Sequence, residues 1–99
     1  MIVLSWNCRG LARPKGKRNL RAMVRDICPG ILFLMELKIS FEKVKPCLHT
    51  MGFYNASFVD PVGKKKGGIF LCRKNGVDLE ITLVTQNIIN AIIFFESYE

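Results

Sequence analysis

The sequence predicts an α/β fold of the α+β type, and three observations carry that prediction. Strand-like apolar runs alternate with helix-spaced apolar positions as far as Gly52, and strict period-two alternation follows the Asn75-Gly76 pair. The third is composition: 99 residues, 49% of them apolar and 23% charged, suit a folding chain with room for one domain only. The same balance excludes disorder, because a disordered segment holds far less apolar surface.

Taken in order, Ile2 to Asn7 reads as a short strand that turns polar at its end, followed by a Gly-, Pro- and base-rich loop from Arg9 to Gly16. From Lys17 the period becomes helical: Leu20, Met23, Val24 and Ile27 make one apolar stripe, Arg18, Arg21 and Arg25 occupy the opposite face, and Pro29-Gly30 ends the helix. Ile31 to Met35 is apolar at every position, as in a strand covered on both faces, and it ends on the charge of Glu36. A second helix is expected between Ser40 and Met51, where Phe41, Val44, Leu48 and Met51 keep helical spacing and Gly52 follows the end. Pro46 falls inside it. An interior proline costs ~3 kcal/mol, so either the helix kinks there or it begins only near Lys45.

Phe53 to Val59 reads as a strand, residues 60–67 as an exposed loop carrying Lys64, Lys65 and Lys66, and Gly68 to Arg73 as another strand. Asn75 and Gly76 both tolerate the positive φ of a tight primed turn, which predicts a hairpin onto Val77, Leu79, Ile81 and Leu83, alternating with Asp78, Glu80 and Thr82. Ile88 to Phe95 forms the last strand, nearly all apolar. No repeat or low-complexity tract interrupts the order.

The formal net charge of +7 belongs to the first quarter of the chain. Seven of the fifteen lysines and arginines precede Asp26, the first acid, and the remainder carries eight bases against eight acids. A polyanion-facing patch is therefore expected there if the protein binds nucleic acid. Cys8, Cys28, Cys47 and Cys72 include no C-x-x-C pair, and His49 is the one histidine, which argues against zinc. Buried free thiols are expected rather than disulfides, and with them an intracellular location, nucleus or cytoplasm being open. The opening apolar residues are too few for a signal peptide and no apolar run reaches bilayer length, so no membrane partner is expected and the sequon at Asn55 is a chance match.

Taken singly, Glu36 reads as a strand-end carboxylate that caps a helix or pairs with a lysine, and Asn7 as a turn-starting asparagine. The words around them change that reading. Leu4-Ser5-Trp6-Asn7-Cys8-Arg9-Gly10-Leu11 and Ile31-Leu32-Phe33-Leu34-Met35-Glu36-Leu37-Lys38 resemble the first two motifs of the endonuclease/exonuclease/phosphatase family, the DNase I-like fold, although the second motif usually has Thr at the place of Leu37. Met51-Gly52-Phe53 and the later Gly67-Gly68-Ile69-Phe70-Leu71 are similar in spacing to the nuclease domains of plant LINE-type retrotransposons, so the resemblance spans essentially the whole chain.

The resemblance implies residues 1–99 to be the N-terminal part of such a domain: an incomplete sandwich, mainly antiparallel, with two helices on one face. It also implies an exposed apolar sheet face and an edge strand, 88–95, open to self-association. It assigns Glu36 to Mg²⁺, Asn7 to positioning metal ligands and scissile phosphate, and Lys38 to the family's lysine two residues after the glutamate. Mg²⁺ suits one or two carboxylates completed by water and phosphate, and it would polarise the phosphoryl oxygen. The family's water-activating Asp-x-Asn motif and late Asp-His pair are absent from this sequence. The expectation is a fragment of a Mg²⁺-dependent phosphodiesterase, endonuclease-like and retrotransposon-related, inactive alone, with DNA favoured over RNA or a lipid or inositol head group.

Two alternatives stand beside it: a nucleic-acid-binding module that uses the basic first quarter, and a degenerate open reading frame whose product folds poorly. Arg9, Arg18, Arg21, Arg25 and Lys38 are the candidate phosphate contacts, against the reading of the arginine stripe as a solvated helix face. Lys64 to Lys66 carry the same two readings, and Pro14 to Arg18 matches a nuclear-import patch only weakly. Trp6, Phe41, Phe53 and Phe58 are expected in the core, not as base-stacking platforms.

Overall fold

The computed structural model describes residues 2–7, 10–63, 67–85 and 88–94. Its central strand is β2 (Ile31–Leu37), which pairs in parallel with β1 (Val3–Asn7) and antiparallel with β4 (Gly68–Arg73); β4 pairs antiparallel with β3 (Asn55–Val59). The sheet order is β1-β2-β4-β3. Leu32, Leu34, Phe70 and Cys72 project from one face of this sheet into a core with Leu20 and Val24 of α1 (Pro14–Ile27) and Val44 and Leu48 of α2 (Phe41–Thr50). Both helices therefore lie on one face. Each of the large side chains so buried contributes ~1.5–3 kcal/mol relative to leaving it in water.

Alternate residues of the same strands serve the other face. Ile31, Phe33, Ile69 and Leu71 pack against Val77, Leu79, Ile81, Ile89, Ala91 and Ile93. Most of these come from β5 (Asp78–Val84) and β6 (Ile89–Phe94), an antiparallel two-stranded ribbon. The fold is α+β in three layers: helices, four-stranded sheet, ribbon. The sheet face expected to lie bare is thus covered, which explains why β2 and β4 are apolar at nearly every position.

Asn75-Gly76 reverses the chain but forms no hairpin ladder between β4 and β5. Both edges of β4 are already taken, by β2 and β3. The turn itself agrees: Gly76 has φ +88° while Asn75 is not among the residues with positive φ, and Val77 N–H donates to Lys74 O at 3.3 Å. A positive φ at the second central residue alone is the type II pattern, whose twist splays flanking strands instead of pairing them. The chain consequently steps from one sheet to the other.

Helix α1 starts at Pro14, three residues before Lys17, because proline's fixed φ suits the first helical position. Helix α2 runs from Phe41 through Pro46, so neither a start near Lys45 nor a break occurs. Its first N–H, on Phe41, donates to Asp60 Oδ1 at 2.7 Å, a cap supplied from just beyond β3 rather than by Ser40. β3 begins at Asn55 and not Phe53, since the Phe53 N–H closes the end of α2 onto Leu48 O at 3.0 Å and its ring is buried. Phe41 is buried too; Trp6 is half-buried against the helix-side core, while Phe58 is 41% exposed and stacks on Phe41 with ring centroids 4.2 Å apart. Cys28, Cys47 and Cys72 are free thiols, the last two buried. No helix among the described residues is long and apolar enough to cross a membrane. Cys8, Arg9, the Lys64–Lys66 run and Phe95 lie outside the described residues.

Candidate functional site

Because β1 and β2 are parallel and register Asn7 with Met35, the carboxyl ends of the two strands lie side by side. Asn7 Nδ2 donates to Glu36 Oε2 at 2.9 Å, joining residues 29 positions apart in sequence. The two motif residues picked out in the sequence are thus brought together. Crevices at the carboxyl ends of parallel strands are where open α/β sheets bind ligands.

Glu36 reaches this position through a strained backbone. Leu34 and Leu37 both point into the helix-side core, so two residues lie between them where the pleat allows one, and the β2–β4 register shifts there. The bulge is absorbed by Glu36, whose φ of +55° lies in the left-handed region that L-residues with long side chains avoid. Gly67 makes room for it: a Cβ on Gly67 would fall 2.5 Å from the Glu36 Cα. A bulge re-aims a side chain, and strain of this kind persists where surrounding structure over-determines it.

Beside Asn7 opens a cleft of about 220 Å³ lined by Trp6, Gly10, Arg13, Lys15, Gly16 and Asn19 as well as Asn7 itself. Gly16, in the first turn of α1, lets the Gly10–Leu11 backbone lie directly against the helix, since a Cβ there would collide with the Gly10 carbonyl. The cleft is cationic through Arg13 and Lys15. Neither was singled out among the candidate phosphate contacts; their signal was present in the Gly-, Pro- and base-rich loop that follows Asn7, but nothing in one dimension shows which bases turn toward it.

The remaining candidates lie elsewhere. Arg18, Arg21 and Arg25 are exposed on the outer face of α1 and do not line the cleft. Arg25 pairs with Asp26 at 3.3 Å, both side chains being more than two-thirds exposed (77% and 69%), a contact of little energetic weight. Lys38 is exposed just past the end of β2. His49 sits near the C-terminal end of α2 with its ring edge-on to Tyr54, centroids 5.5 Å apart.

The Glu36 carboxylate and the Asn7 amide oxygen are the hard oxygen donors that Mg²⁺ takes. Among the described residues no group of three or more His, Cys, Asp or Glu side chains converges there or elsewhere. The donor types fit magnesium, and their number fits a site completed by water and by phosphate oxygens of a bound ligand. No protein-family model matches the sequence, and no curated protein matches it.

Proposed function

We propose that this chain holds the phosphodiester backbone of DNA at the Asn7–Glu36 pair and the adjoining basic cleft, as part of a magnesium-dependent phosphodiesterase of the endonuclease/exonuclease/phosphatase type. The observation that carries the reading is the 2.9 Å contact between the ends of two separate sequence motifs, made by a glutamate held in a strained bulge. Glu36 would hold the metal, Asn7 would orient the phosphate, and Arg13 and Lys15 would neutralise neighbouring phosphates. Bound Mg²⁺ supplies polarisation of the phosphoryl oxygen. Activating the attacking water needs a further base, and with neither Asp-x-Asn nor Asp-His in its sequence the 99-residue chain is expected to bind without cleaving.

Fluorescence anisotropy of a labelled DNA duplex tests this. Mg²⁺ should strengthen binding, Glu36→Gln should remove that enhancement, and Arg13→Ala with Lys15→Ala should flatten the plot of log affinity against log salt by up to about two units, each phosphate contact being worth ~0.9. Absence of any Mg²⁺-dependent term would overturn the site, and plasmid nicking that is lost in Glu36→Gln would overturn the claim of inactivity. The exposed stripe of Arg18, Arg21 and Arg25 favours a second reading, a binding module without metal. It predicts that alanines at those three positions abolish binding while the cleft variants keep it.

A further inference from the structure

A second cavity lies at the diagonally opposite corner of the sheet. Asn7 ends the outer strand β1 at its carboxyl end, whereas Arg73 of β4 pairs with Ile31 at the other end of β2 and with Asn55 of β3, the opposite outer strand. Strand alternation puts Arg73, Asn55 and Ser57 on the face that meets the ribbon, in the same rows as Leu71 and Ile69. Three polar residues thus stand where sheet-on-sheet packing calls for apolar ones. They leave a cavity of about 170 Å³, closed on its other side by Leu79 and Ile81 of β5.

The polar groups are donors with capacity to spare. Arg73 Nη1 donates to Val77 O at 2.9 Å, which fixes the guanidinium at the end of its strand, while the further N–H groups of the fork have no partner among the described residues. Asn55 Nδ2 donates to Asn75 Oδ1 at 3.0 Å with one N–H remaining, and the Ser57 hydroxyl has no hydrogen-bond partner among the described residues. Among the described residues no acidic side chain lines the cavity, and Arg73 has no carboxylate within ion-pair distance. A half-buried, permanently charged fork with a hydroxyl and an amide beside it is a complement for an oxyanion.

We infer that the cavity between β3, β4 and β5 binds a small oxyanion, a carboxylate or phosphate group, through Arg73, Ser57 and Asn55. Its volume, about 170 Å³, lies below the ~300–1,000 Å³ typical of pockets for drug-sized ligands, which points to a small acid. Leu79 and Ile81 would pack against a short apolar body on that acid. The site shares no residue with the Asn7–Glu36 pair or its adjoining cleft and stands independently of the function proposed for them.

The test is a nitrogen–proton NMR titration of the 99-residue chain with two probes, inorganic phosphate and butyrate. Saturable shifts at the Asn55 side-chain amide, the Ser57 backbone and the Arg73 Nε are expected for at least one probe, with a midpoint separate from that of any shifts phosphate causes at Asn7 and Lys15. Tighter binding of butyrate assigns a carboxylic acid, and tighter binding of phosphate a phosphate group. Arg73→Lys, which keeps the charge but loses the fork, should weaken binding about tenfold, and Ser57→Ala severalfold. Unsaturable shifts, shifts confined to the Asn7 cleft, or equal affinity in folded Arg73→Lys and Ser57→Ala would each overturn the site. Shifts at Asn7 and Lys15 alone would do so without touching the proposed function.

Discussion

Glu36 carries both the backbone strain of the β2 bulge and the carboxylate to which metal binding is proposed. A left-handed conformation costs an L-residue ~1–2 kcal/mol, and the neighbouring Gly67 backbone leaves Glu36 no room to relax. Glycine would remove that cost and introduce its own entropic penalty of ~0.5–1 kcal/mol. Glu36→Gly should therefore stabilise the protein by about 0.5–1 kcal/mol in thermal or urea unfolding, while abolishing the Mg²⁺-dependent part of DNA binding. A loss of stability instead would mean that the contacts of the Glu36 side chain outweigh the relief of its backbone strain. Gly67→Ala should do the opposite and destabilise, because the added Cβ meets backbone rather than a yielding side chain. The strain at Glu36 was not legible in the sequence, where the residue reads only as a charge at a strand end; it follows from the extra residue between Leu34 and Leu37, which only the shared core of those two leucines reveals.

Among the elements, α2 depends most on tertiary support. It lacks a side-chain cap from Ser40 and contains a proline, yet it runs from Phe41 to Thr50 because Phe41, Val44, Cys47 and Leu48 are buried and Asp60 accepts the Phe41 N–H. Asp60→Ala should cost about 1 kcal/mol, the usual effect of deleting a cap. Pro46→Ala should stabilise by about 1–3 kcal/mol, since Pro46 is exposed and alanine restores a donor to the Glu42 carbonyl. Urea unfolding of the two variants checks both signs. Helical spacing foretold this helix, but not the Asp60 cap, which comes from a residue 19 positions away.

At the scale of the molecule, the ribbon decides how well the chain stands alone. With apolar clusters on both faces of the sheet and a radius of gyration of 13.4 Å, close to the ~13 Å of a folded 100-residue domain, one cooperative unfolding transition is expected. A broad, non-cooperative melt would favour the reading as a degenerate product. Among the described residues β6 pairs only with β5, and Ile92 and Phe94, about half exposed at 50% and 47%, point away from the sheet on a strand without a charge. Such an edge is a template for another strand. Sedimentation should show concentration-dependent association through β6, and Ile92→Lys should shift it toward monomer; a wild-type monomer at all concentrations would refute the association.

Periodicity and composition by themselves determined the α+β class, the order of the eight elements and the apolar faces that build the helix-side core, whereas Asn7 and Glu36 stood out only through the motif words around them, by resemblance. Those properties are local, set by which side chains recur at spacings of two or three to four. Tertiary structure alone decided that Asn75-Gly76 would join two sheets, because the edges of β4 are filled by strands distant in sequence. It decided likewise that Arg13 and Lys15 would line the Asn7 cleft while Arg18, Arg21 and Arg25 would not. Edge occupancy and the facing of a loop depend on contacts far along the chain, and no local spacing encodes them.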